Sequence, residues 1–125
     1  MKKRSSLLSL LLVLLLINFA NAQSNTGGSY FVGKWKVSIP GTPIGDLKRI
    51  YVIDKMNDSF SAVVQDSTGK EITKCSKVEA RENDITLFYS VSGIDAYIKL
   101  TRKDEDHVSG LVLDTYQAQG ERMKK

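Results

Sequence analysis

The feature that most constrains this chain is a period of two. From Tyr30 onward it reads as short runs in which apolar and polar residues alternate, each closed by a turn signal. Val and Ile number 17 in that stretch against 5 Leu. Such a β-branched bias suits the pleated surface of a strand better than a helix. The first run, Tyr30–Ile39, sets Trp35, Val37 and Ile39 on one face and Lys34, Lys36 and Ser38 on the other. Pro40–Gly45 breaks it and is the longest connection. Leu47–Asp54 follows with apolar residues on both parities, then Ser59–Gln65 with Phe60, Ala62 and Val64 aligned.

The turn Asp66-Ser67-Thr68-Gly69 leads into the fourth run, Glu71–Ala80, where Ile72, Lys74, Val78 and Ala80 share a parity. The fifth run aligns Ile85, Leu87, Tyr89 and Val91. The sixth, Ile94–Arg102, alternates Ile94, Ala96, Ile98 and Leu100 with Asp95, Tyr97, Lys99 and Thr101. His107–Leu113 and Gln117–Met123 complete the set. Eight short runs with tight connections predict an all-β fold. The expectation is a single eight-stranded antiparallel up-and-down barrel over residues 30–125, since closing such a meander removes both exposed edges. An interior of that size is either packed with side chains or holds one small ligand.

Residues 1–22 read as a cleaved signal peptide: Lys2, Lys3 and Arg4, then an apolar Leu7–Phe19 core, then Ala20-Asn21-Ala22. The apolar stretch is shorter than the roughly 20 residues that span a bilayer, so the chain is not expected to be membrane-spanning. No lipoprotein cysteine follows the cleavage site, so the expected location is periplasmic or secreted. Residues 23–29 (QSNTGGS) are small and polar and read as a flexible arm. The full chain has 18 Lys and Arg against 14 Asp and Glu. Three of the basic residues fall in the leader and none of the acidic ones, which leaves 15 against 14. That near-neutral balance gives no support to a nucleic-acid partner.

Cys75 stands alone, so no disulfide framework is available. A lone thiol is buried and inert, reactive, or paired between molecules; no neighbouring histidine or charge pattern marks it as a nucleophile, which favours the first. His107, the single histidine, follows Asp104-Glu105-Asp106 and reads as part of a solvated hairpin turn. There is no nucleophile elbow, phosphate-cradling loop or metal-ligand spacing. The chain is therefore not expected to be an enzyme, and no cofactor or metal is expected.

Gly33 and Trp35 on the first run and Arg122 on the last carry a resemblance. The chain resembles the calycin group, which includes lipocalins, fatty-acid-binding proteins, avidins and small bacterial metalloprotease inhibitors. It is similar in outline to small exported lipocalin-like proteins of Bacteroidetes-type bacteria. The resemblance implies a structural role for Gly33, Trp35 and Arg122: close approach at the barrel base, a plug, and an arginine stacked across it. It carries over no ligand residues. The post-barrel helix of lipocalins, the lid helices of fatty-acid-binding proteins and the inhibitors' disulfide have no counterpart.

Two functions follow as expectations. The first is an exported binding protein holding a small apolar or amphiphilic ligand inside the barrel. Its candidate lining is Val37, Ile39, Phe60, Val64, Lys74, Leu87, Tyr89, Ile98 and Leu100. Lys74, if inward, would need an anionic partner such as a ligand head group, unless a bulge sends it to solvent. The second is a protein-binding module, or inhibitor of an exported enzyme, with a solid core. It would act through residues 23–29 or the 40–45 loop.

Overall fold

The computed structural model describes residues 28–124. The expected leader over residues 1–22, and the expected arm 23–29 except Gly28 and Ser29, lie outside the described residues. A 3-10 turn at Ser29–Phe31 opens the described chain and nine strands follow. They are β1 Gly33–Thr42, β2 Gly45–Met56, β3 Ser59–Asp66, β4 Glu71–Lys74, β5 Lys77–Ala80, β6 Asp84–Val91, β7 Ile94–Arg102, β8 His107–Val112 and β9 Tyr116–Arg122. All lie in one antiparallel sheet of order β4-β3-β2-β1-β9-β8-β7-β6-β5. Chain neighbours pair throughout except β4 and β5, and the first and last strands, β1 and β9, also pair, with Trp35 opposite Arg122 and Val37 opposite Gly120. The sheet curls around its own apolar face and forms a half-barrel.

Two expectations are corrected. There are nine strands rather than eight, and the sheet is not a closed barrel. The run expected as one strand over Glu71–Ala80 splits at Cys75-Ser76 into β4 and β5, and these are the two ends of the sheet. The physical reason lies in consecutive amides. Cys75 N–H donates to Ala62 O on β3 at 2.9 Å, and Ser76 N–H donates to Phe88 O on β6 at 2.8 Å. The chain thus crosses obliquely from one end of the sheet to the other. Each half pairs on one side, and no ladder joins β4 to β5. The other change is smaller: Pro40–Gly45 is not a long loop, because β1 runs on to Thr42 and pairs with Gly45 across a two-residue tip. Pro40 is tolerated there because the register shifts between Ile39 and Thr42, and a bulge needs no ladder N–H from it.

The concave face holds the core. Phe31, Trp35, Val37, Tyr51, Val64, Ile85, Leu87, Ile98, Leu100 and Val108 are fully buried there. Curling the sheet this tightly requires small residues on the inner face of β9. A Cβ at Gly120 would stand 2.6 Å from Val108 Cγ2 and 3.2 Å from Val37 Cγ2, closer than packed atoms come. Ala118 occupies the next inward position.

Candidate functional site

One end of the half-barrel is tied shut by aromatic and cationic groups. Gly33 takes φ 132, a left-handed value that a side chain would strain, and the bend delivers Trp35 to the inner face. The Trp35 indole is fully buried, and its Nε1–H donates to Phe31 O at 2.9 Å. Arg122 lies opposite it in register, its guanidinium carbon 4.3 Å from the indole centroid and 5.0 Å from that of Tyr30. The same guanidinium donates to Val32 O at 3.2 Å, Tyr30 O at 3.0 Å and Glu105 O at 3.1 Å, and pairs with Asp106 at 3.3 Å. One planar fork thereby gathers the start of the chain, the β7–β8 loop and the last strand, which an ammonium could not do. Arg102 stacks on the other approach to Tyr30, 4.4 Å from its centroid, while the Tyr30 hydroxyl donates to Asp104 O and His107 O.

His107 bridges two carboxylates at this end, with Nδ1 2.8 Å from Asp104 and Nε2 3.5 Å from Glu121. The hydrogen bond and charge of Asp104, then Glu121, raise its pKa above the ordinary imidazole value. A raised folded-state pKa contributes stability fully present below the unfolded value and lost as pH rises through the folded one. Asp104 is held below the ordinary carboxylate value, chiefly by its hydrogen bond to His107, and its contribution is lost only as pH falls through that lowered value. Wild-type protein is therefore expected to lose melting temperature between about pH 5.5 and about pH 8.5 relative to His107→Gln. Thermal unfolding at the two pH values measures the difference, and equal slopes in both proteins would contradict the contact.

The expected ligand lining is the core itself. Val37, Val64, Leu87, Ile98 and Leu100 are fully buried, and Ile39 and Tyr89 nearly so, all in one packed cluster. Phe60 is half-buried against that cluster. Lys74 is corrected: it is exposed, opposite Val63 on the outer face. Ile72 is the extra residue of a bulge, since Val64 pairs with Thr73 and Gln65 with Glu71. That slip reverses the phase between Ile72 and Lys74. On β2 the basic residue on the inward parity is Arg49, which stands opposite Val37 and Asp66. The apolar residues on both faces of β2 hide it from a reading of period alone.

Beside Arg49, the Tyr51 and Tyr89 hydroxyls share a hydrogen bond of 2.9 Å. Burial, and then the neighbouring Tyr89, push the Tyr51 pKa well up; burial also raises Tyr89. The pair stays neutral and satisfies itself. Cys75 packs against the same cluster, and burial raises its thiol to about 11, so little thiolate forms near neutrality. Among the described residues no group of three His, Cys, Asp or Glu is placed to hold a metal. No described helix is long and apolar enough to cross a membrane.

The opposite end, the rim, is different. Four hairpin tips meet the solvent there, joining β1 to β2, β3 to β4, β6 to β7 and β8 to β9. Three of them carry a large exposed apolar side chain: Ile44 at 78% exposure, Ile94 at 69% and Leu113 at 40%. Leu113 is also strained, with φ 52 in the left-handed region. Asn, Asp or Gly is the ordinary choice at such a turn position. No family model matches this chain, and neither does any curated protein or solved structure.

Proposed function

We propose that this protein is an exported, non-catalytic binding module that uses the rim hairpins to hold a protein partner. The observation that carries the reading is the placement of Ile44, Ile94 and Leu113, three of the four exposed large apolar side chains, on tips at one end, with the fourth, Met56, at the other and one buried apolar cluster between. Apolar side chains gathered at one end of a small domain mark an association surface. Each rim hairpin also carries a carboxylate: Asp46, Asp66, Asp95 and Asp114. That disfavours an anionic lipid surface, which attracts basic segments, and favours a protein.

Leu113→Asn is the informative substitution. Relief of the left-handed strain should raise folding stability by about 1 kcal/mol, while removal of the apolar tip weakens the association. A stability gain coupled to a binding loss separates a working surface from a folding one. Urea unfolding reads the first. The second is read by a photo-crosslinking amino acid at position 94, introduced into the chain in its own cells. A discrete protein adduct at 94, absent with the same group at Met56 on the far end and lost in Leu113→Asn, is expected. Equal labelling from both ends, or none from the rim, would remove the proposal.

A ligand held inside the half-barrel is the second reading. The inward Arg49 and the Tyr51–Tyr89 pair support it, as polar groups that could orient a head group. It ranks below the first because the candidate lining is buried in a single apolar cluster.

A further inference from the structure

The convex face of β5–β7 carries an aromatic feature that neither the core nor the base clamp uses. Phe88 on β6 and Tyr97 on β7 are direct cross-strand partners, their ring centroids 5.8 Å apart and tilted by 38°. Both point away from the core and are only half-buried. They form the floor of a groove of about 400 Å³ bounded by Ser76, Lys77, Ser90, Asp95, Ala96 and Leu113. That volume lies within the range of small-ligand sites.

Polar groups surround the floor in a definite order. The Lys77 ammonium lies 5.4 Å from the Phe88 centroid and pairs with Glu79 at 3.0 Å. The Ser90 hydroxyl donates to Asp95 Oδ1, and the Tyr97 hydroxyl donates to Asp114 Oδ2 at 2.6 Å. Each carboxylate is thereby held, Asp95 in the groove wall and Asp114 just outside it on Tyr97, and its second oxygen takes no hydrogen bond among the described residues. Leu113, held at its strained backbone angle, closes one end. Strain retained at the edge of a groove is the kind of feature that accompanies binding.

We infer that this groove binds a neutral sugar ring, with its C–H face stacked on Tyr97 and Phe88 and its hydroxyls donated to Asp95 and Asp114. A sugar has one apolar face and a rim of hydroxyl donors, which matches an aromatic floor edged by fixed carboxylate acceptors. A purely apolar ligand would leave those carboxylates desolvated without partners. An anionic one would meet Asp95 and Asp114 against a single lysine already paired with Glu79. The site shares Leu113, Asp95 and Asp114 with the rim hairpins, while its aromatic floor, Phe88 and Tyr97, belongs to it alone.

The test is a ¹⁵N NMR titration of the folded protein with glucose, N-acetylglucosamine, cellobiose and, as the anionic comparison, glucuronic acid. Saturable shifts confined to residues around 88–97 and 113–114 are expected with at least one neutral sugar, and weaker ones with glucuronic acid. Tyr97→Ala should weaken binding about tenfold or more, the loss of one stacking face. Tyr97→Phe, which keeps the ring and removes only the hydroxyl, should retain most of it. Asp95→Asn provides a variant away from the aromatic packing and should weaken the neutral sugar while improving glucuronic acid. Shifts elsewhere, no shift with any of the four sugars, binding indifferent to Tyr97→Ala, or a preference for glucuronic acid would each overturn the assignment. Loss of photo-crosslinking at the rim would leave this result untouched, so the two failures can be told apart.

Discussion

Trp35→Ala is expected to lower folding stability by about 3–5 kcal/mol, the cost of removing a large aromatic side chain from a packed interior. Typical domains are stable by only about 5–15 kcal/mol, so the variant should stand near the edge of folding at room temperature. Three contacts are lost together: the indole's buried surface, its hydrogen bond to Phe31 O and the face on which the Arg122 guanidinium rests. Trp35→Phe keeps an aromatic face and should fall well short of that loss. Urea unfolding measures both, with a lower midpoint at an unchanged slope signalling lost stability rather than a changed state. A near-neutral Trp35→Ala would mean that the end is held by backbone pairing alone.

Leu100→Ala is the second large effect, and it addresses the interior. Leu100 is fully buried opposite Gly110 and beside Ile98. In a filled core its truncation leaves a cavity, and about 2–5 kcal/mol is lost. If the half-barrel instead enclosed an open, hydrated chamber at this level, the side chain would give up less packing and the loss would fall below that range. Leu87→Ala, on the neighbouring β6, should behave alike, since the two share one cluster.

How far the sequence reaches is clearest residue by residue. Alternation finds the strand-forming runs, because half of each one faces a common core and must be apolar, but it reads β4 and β5 as one. Trp35 and Arg122 are legible as partners because a meander that curls round brings its first and last strands together. What escapes is everything that depends on register. The bulge at Ile72 turns Lys74 outward, and the phase slips again between Cys75 and Val78, where the chain passes from β3 to β6. Neither event leaves a Gly or Pro as a marker. Arg49 is missed because β2 is apolar on both faces: Ile50 is buried on the convex side while Tyr51 and Ile53 serve the core. The Phe88–Tyr97 floor is invisible for the same reason, since each residue alone is an ordinary outward position. Only the pairing makes them a surface.

The rim follows a different logic. Ile44, Ile94 and Leu113 are far apart in the chain, and the up-and-down topology alone brings their hairpins to one end. Leu113 carries a local signal of its own, because Leu followed by Asp is an unfavourable choice at two consecutive turn positions that both take positive φ. A local rule broken at an exposed position is where binding surfaces are found.

Binding is proposed to take place outside an interior filled by the protein's own side chains. Native mass spectrometry of protein taken gently from its own cells tests this most directly. The bare mass of the folded chain is expected, with no retained small apolar molecule. A stoichiometric added mass in the range of a fatty acid or other lipid, released on unfolding and lost in Tyr89→Ala, would contradict it and move the function into the half-barrel.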